Sequence, residues 1–177
     1  MLYNVWAFYE LYRDEKFELQ EVPESKNVLD KWILSKLFVL SEDVTQSMES
    51  YKLLEPVRSI KSFIDDLSTW YLRRSRDRIK EGDIEAKQTL YFVFKTLSKM
   101  IAPFAPFAAE DLWLKTRKET DQESVHLVSW PSLKISEIYF GKCQAEEVLN
   151  NMKETREVVT LGLQARQKAG IAVRQPL

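Results

Sequence analysis

An all-α antiparallel helical bundle is the fold this sequence predicts, and three features carry the prediction. Only 4 Gly and 6 Pro punctuate 177 residues. Between them run long stretches whose apolar residues recur at helical spacing, the mark of a helix with one buried face. Hydrophobic residues make up 45% of the chain and aromatic ones 12%, enough for a real core and too much for disorder. The length suits one domain: residues 1–169 are expected to form the bundle, and 170–177 the start of a linker toward a further module.

The first helix is expected over Leu2 to Arg13, an amphipathic LYNVWAFYELY, followed by a charged loop to Lys26. Asn27 is placed to cap a second helix, with Asp30 near the positive end of its dipole. Its core stripe is Leu29, Ile33, Leu37, Leu40 and Val44, and it ends near Tyr51. Pro56 suits the first turn of a long third helix, which Gly82 closes as the residue after the cap. Asp83 caps a fourth helix to about Ala102, with Leu90, Phe94, Leu97 and Ile101 inward. Pro103 and Pro106 then break the chain, with Phe104 and Phe107 filling the corner, before a fifth helix from Phe107 to Arg117. Residues 120–131 alternate in short steps and are expected as an extended excursion. A last helix spans Gln144 to Ala169, with Gly170 as its stop. Both ends lack a lead-in or closing element, so the chain is expected to be part of a longer protein.

Charge and composition exclude several functions. Against 26 Lys plus Arg stand 27 Asp plus Glu, so no whole-protein basic field exists and any nucleic-acid contact must be local. Cys143 is the one cysteine, which rules out a disulfide or a thiolate zinc site and fits a cytoplasmic protein. No apolar run approaches the roughly 20 residues of a membrane span. His126 is the single histidine and has no nucleophile or metal partner in sequence, so a surface or structural role is expected. No glycine-rich phosphate loop occurs. The acid pairs Asp65–Asp66 and Glu146–Glu147 suit helix surface. Catalytic residues and metal ligands are therefore expected to be absent.

One segment stands apart: DDLSTWYLRRSRDRIK, residues 65–80, ends in Arg73, Arg74, Arg76, Arg78 and Lys80 with one acid, Asp77, among them. At about 100° per residue, Ile60, Phe63, Ile64, Leu67, Trp70 and Tyr71 share a stripe, and Arg74 and Arg78 come next on it. A face that should be buried turns basic. The dull alternative is a solvated helix end, where each cation gains about 0.3–1 kcal/mol from the dipole. Asp77 can also pair with Arg73 or Arg74. That accounts for one or two cations, whereas five together repel. Arginine forks suit phosphate and stack on bases, so nucleic acid is favoured over a solvated end or an acidic protein partner. Trp70 fits burial as well as stacking. Arg166, Lys168 and Arg174 near the last helix end form a second tier, where a plain linker is the competing reading.

Taken in order, LYNVWAFYELY, LDKWILSKL, DDLSTWYLRRSRDR, MIAPFAPFAAEDLW, ESVHLVSWP and AGIAVRQPL resemble the anticodon-binding region of the isoleucyl-tRNA synthetases, class Ia enzymes. The resemblance covers Leu2 to Leu177. The bundle pattern alone is shared with valyl-type relatives, and WYLRRSRDR and AGIAVRQPL narrow it to the isoleucyl branch. It implies a class Ia helical bundle that holds the anticodon stem and loop of isoleucine tRNA beside the catalytic core of the same parent chain, as a monomer. Arg73, Arg74, Arg76, Arg78 and Lys80 would make the contacts. ATP and Mg would serve the parent enzyme only, since neither His-Ile-Gly-His nor Lys-Met-Ser-Lys-Ser occurs here. The fragment alone is expected to be inactive. A helical protein-interaction module is the alternative from another class.

Overall fold

A computed structural model describes residues 1–13, 22–172 and 175, and every regular element among them is helical. In chain order these are α1 (Leu2–Tyr12), α2 (Val28–Glu49), α3 (Leu54–Asp66), a π-helical turn (Leu67–Leu72), α4 (Arg73–Lys80), α5 (Ile84–Ile101), α6 (Pro106–Thr116) and α7 (Lys142–Lys168), with single 3-10 turns at Val125–Leu127 and Ile135–Glu137. The all-α bundle expected from the apolar spacing is present, and the caps read from sequence start its helices. Asn27 accepts the Leu29 amide at 2.9 Å, and Asp83 accepts that of Ala86 at 3.0 Å.

The core forms where the apolar stripes of α1, α2, α3 and α5 meet. Val5, Ile33, Leu37, Val44, Leu67, Leu90, Val93, Phe94 and Leu97 are all fully buried there. Full burial of each such side chain is worth about 1.5–3 kcal/mol, which is what holds the bundle closed. Trp6 packs edge-on against Phe94 with ring centres 5.1 Å apart, tying α1 to α5. Leu29, expected in the core, is only half-buried at the start of α2. Phe107 departs further: it is 91% exposed, because α6 begins at Pro106 and buries Ala109, Leu112 and Trp113 instead. Phe104 alone fills the corner.

Residues 120–131 form an irregular strap with one 3-10 turn, crossing α2 through Trp130 Nε1, which donates to Thr45 Oγ1 at 2.8 Å. At Gly82 the chain reverses with φ of 90°, the left-handed region that glycine enters without strain. Its amide donates to Ile79 O at 3.2 Å and that of Asp83 to Arg78 O at 3.0 Å, the paired bonds of a Schellman stop. α7 lies along α2 by its first half and buries only Ala145 and Met152, so residues 157–168 stand away from the core.

Candidate nucleic-acid interface

The long third helix is not a uniform α-helix, and this changes which cations face solvent. The π-helical turn at Leu67–Leu72 holds an extra residue compared with α-helical winding, which turns everything after it by about 100°. Uniform winding would have placed Arg74 and Arg78 on the core stripe. Instead Ser75 and Ile79, both fully buried, continue it. The expectation of a basic core stripe is therefore corrected: the stripe stays buried to its end, and Arg73, Arg74, Arg76 and Lys80 are released to solvent.

Arg74 makes the closest aromatic contact of them. Its Cζ sits 3.3 Å from the centre of the Trp70 ring, a stacked cation–π contact, and Nη1 reaches Trp70 O at 3.5 Å. Burial, then Arg73 and Arg156 nearby, lower its pKa from the usual guanidinium value, so the spot is crowded with positive charge. Arg76 lies over Phe8 of α1 at 5.1 Å. Asp77 meets Lys80 at 4.0 Å, in place of the pairing with Arg73 or Arg74 read from the sequence. Trp70 itself is half-buried, and its Nε1 donates to Met152 Sδ at 3.2 Å. Its ring is thus a platform for arginine, with one face already taken.

Arg78 has a different duty. Its fork donates to fully buried Asp30 through Nη1 at 3.1 Å and Nη2 at 2.9 Å, while Nε donates to Asp83 at 2.9 Å. Asp30 also accepts from Tyr71 Oη at 2.8 Å and Ser25 Oγ at 2.7 Å. Burial opposes the charge on Arg78, but the two carboxylates outweigh it and hold its pKa above the usual guanidinium value. Burial and Asp30 push the Tyr71 phenol well above its ordinary value, so it remains a donor. This network binds α2, the π turn, α4 and the cap of α5 together. Arg78 is the clasp under the basic surface.

Sequence reasoning missed Arg156, on α7. Its Nη2 meets Asp66 at 2.7 Å and its Cζ lies 5.0 Å from the Trp70 ring. Asp66, read from sequence as helix surface, is buried and shared with Lys36. Burial opposes its charge, yet Arg156 and Lys36 hold its pKa below the ordinary value. The available signal was an ionisable residue beside an apolar stripe, which demands a partner if buried. The second tier is not brought to this site. Arg166 lies ten residues beyond Arg156, roughly 15 Å along the helix, where Nη2 caps the chain by donating to Ala172 O at 2.7 Å and to Gln175 O. Lys168 is exposed beside it, and Arg174 lies outside the described residues. His126 and Cys143 are exposed, and no group of acidic, histidine or cysteine side chains converges as for a metal among the described residues. No helix among them is long and apolar enough to cross a membrane.

A family model for the anticodon-binding domain of tRNA ligase matches residues 30–177. Over 99% of its length the chain is 40% identical to the isoleucine–tRNA ligase of Clostridium tetani, and 37% identical to those of Streptomyces avermitilis and Chlamydia trachomatis serovar D. It spans only 18%, 17% and 17% of those proteins' own lengths.

Proposed function

The chain belongs to the anticodon-binding domain family of tRNA ligases, and on that premise we propose that its aromatic-and-arginine helix end holds the anticodon stem and loop of isoleucine tRNA. The observation that carries this reading is the exposed set Arg73, Arg74, Arg76 and Lys80 on one helix end, with Arg74 presented on Trp70. A hairpin loop offers phosphates and splayed bases. Guanidiniums meet the first by paired hydrogen bonds and the second by stacking. With one face of Arg74 against Trp70, the other is free to take a base, and little side-chain entropy remains to be lost on binding.

Within a parent isoleucine–tRNA ligase acting as a monomer in the cytoplasm, the bundle would fix the anticodon arm so that the acceptor end reaches the catalytic core. ATP and Mg belong to that core. The donor set here does not fit them, since neither phosphate-binding signature is in the chain and no acidic cluster converges among the described residues.

The test is a titration of isoleucine tRNA at rising salt, with valine tRNA in parallel to separate the isoleucyl from the valyl reading. Neutralising Z phosphates gives a log–log slope on the order of −0.7Z. Absence of binding even at low salt refutes the proposal, and an acidic protein partner that excess tRNA fails to displace would favour an interaction module.

A further inference from the structure

A second cluster of cations lies away from the helix end. Lys95 and Lys99 stand one turn apart on α5, sixteen residues from the Asp83 cap to Lys99, on the order of 20 Å along the helix. Together with Lys118 they line a cleft of about 660 Å³ between α5, α6 and the strap that follows. Both ammoniums hang over one ring: the Nζ atoms of Lys95 and Lys99 lie 5.6 and 5.7 Å from the centre of Trp113. Like charges at this spacing repel, and half-burial sharpens the repulsion.

The compensation present is incomplete. Among the described residues Asp121 is the one carboxylate lining the cleft, and it is committed: Oδ2 accepts from Lys95 Nζ at 2.5 Å and from the Lys118 amide at 2.8 Å. Lys99 has no carboxylate within ion-pair distance among the described residues. Burial, then Lys95, lower its pKa, and the weaker opposing pull of Asp121 does not offset them. Contact with the face of Trp113 offsets part of the cost, but that ring is shared by two cations. Tyr91 offers no help as a donor, because its hydroxyl is given to Thr116 O at 2.6 Å. Exposed Thr120 and Gln122 add neutral hydrogen-bonding groups to the lining.

We propose that this cleft is an oxyanion site that takes a phosphate group between Lys95 and Lys99. It stands apart from the helix-end reading and holds whether or not that reading does. Two sources share the chemistry, a free phosphate compound and the backbone of a bound RNA.

The experiment compares melting in sodium phosphate and in sodium chloride of equal ionic strength, for the wild-type chain, Lys99→Met and the control Lys52→Met. A phosphate-specific rise in melting temperature is expected in wild type and Lys52→Met and lost in Lys99→Met. In wild type the ¹³Cε resonances of Lys95 and Lys99 are expected to move together during a phosphate titration, a readout that needs no variant. A rise equal in all three proteins, or unmoved lysine resonances, overturns the proposal. With the site established, isoleucine tRNA identifies the source. A salt slope smaller by about 0.7 in Lys99→Met assigns it to RNA backbone, and an unchanged slope to a free phosphate compound.

Discussion

Removing the Arg78 guanidinium separates the structural cation from the exposed ones. Arg78→Met keeps the stem and leaves the Asp30 carboxylate, 0% exposed, with Tyr71 and Ser25 as its remaining donors. Breaking a buried pair from one side costs about 3–5 kcal/mol. The Arg78 side chain is 22% exposed, so solvent and the two hydroxyls recover a part, and a loss of about 2–4 kcal/mol is expected. For a domain of this size that lowers the melting temperature by roughly 5–15 °C. Thermal and urea unfolding of wild type, Arg78→Met, Asp30→Asn and the double variant form a cycle. The double variant is expected to regain part of the loss, because the uncompensated charge is gone. Melting of Arg78→Met within about 2 °C of wild type, or strict additivity in the cycle, would show that the clasp carries no weight.

Replacing Arg73 and Arg74 together by Ala is expected to weaken tRNA binding several-fold and flatten the salt slope by about 0.7 per lost phosphate contact, with stability changed by no more than about 0.5 kcal/mol. Calorimetry alongside binding checks both. Asp66 is held below its ordinary pKa by Arg156 and Lys36 against its burial, so its stabilisation is complete above the unfolded value of about 3.9 and drains as pH falls through the folded one. An acid titration followed by circular dichroism is therefore expected to fall more steeply below about pH 4 for wild type than for Asp66→Asn. Gly82→Ala meets no atom within 4 Å, so its cost is backbone strain at φ of 90°, about 1 kcal/mol in urea melts, with Gly82→Asn milder.

The bundle was legible because its signals are local. Asn27, Asp83, Gly82 and Gly170 each do in the structure what their residue types do at helix ends. The phase of the basic helix was not legible. LSTWYL contains nothing that distinguishes a π turn from an α turn, and one extra residue there put Ser75 and Ile79, instead of Arg74 and Arg78, on the core side. Nor could spacing reveal that Arg78 answers Asp30, 48 residues earlier, or that Arg156 answers Asp66 from another helix. What sequence does offer is the demand: Asp30, Lys36 and Asp66 sit on or beside apolar stripes and need partners. Trp70, left between core and stacking, is both half-buried and stacked, by Arg74.

The arginine side chains themselves provide the most direct test. Their Nε–H resonances, assigned by single substitutions, can be followed by NMR while an RNA hairpin carrying the isoleucine anticodon stem and loop is added. Arg73, Arg74 and Arg76 are expected to shift and saturate together, while Arg78, already bound to Asp30 and Asp83, stays in place. Saturation at Arg78 with Arg73, Arg74 and Arg76 unmoved, or no shift in any of the four, would contradict an interface built on the exposed helix end.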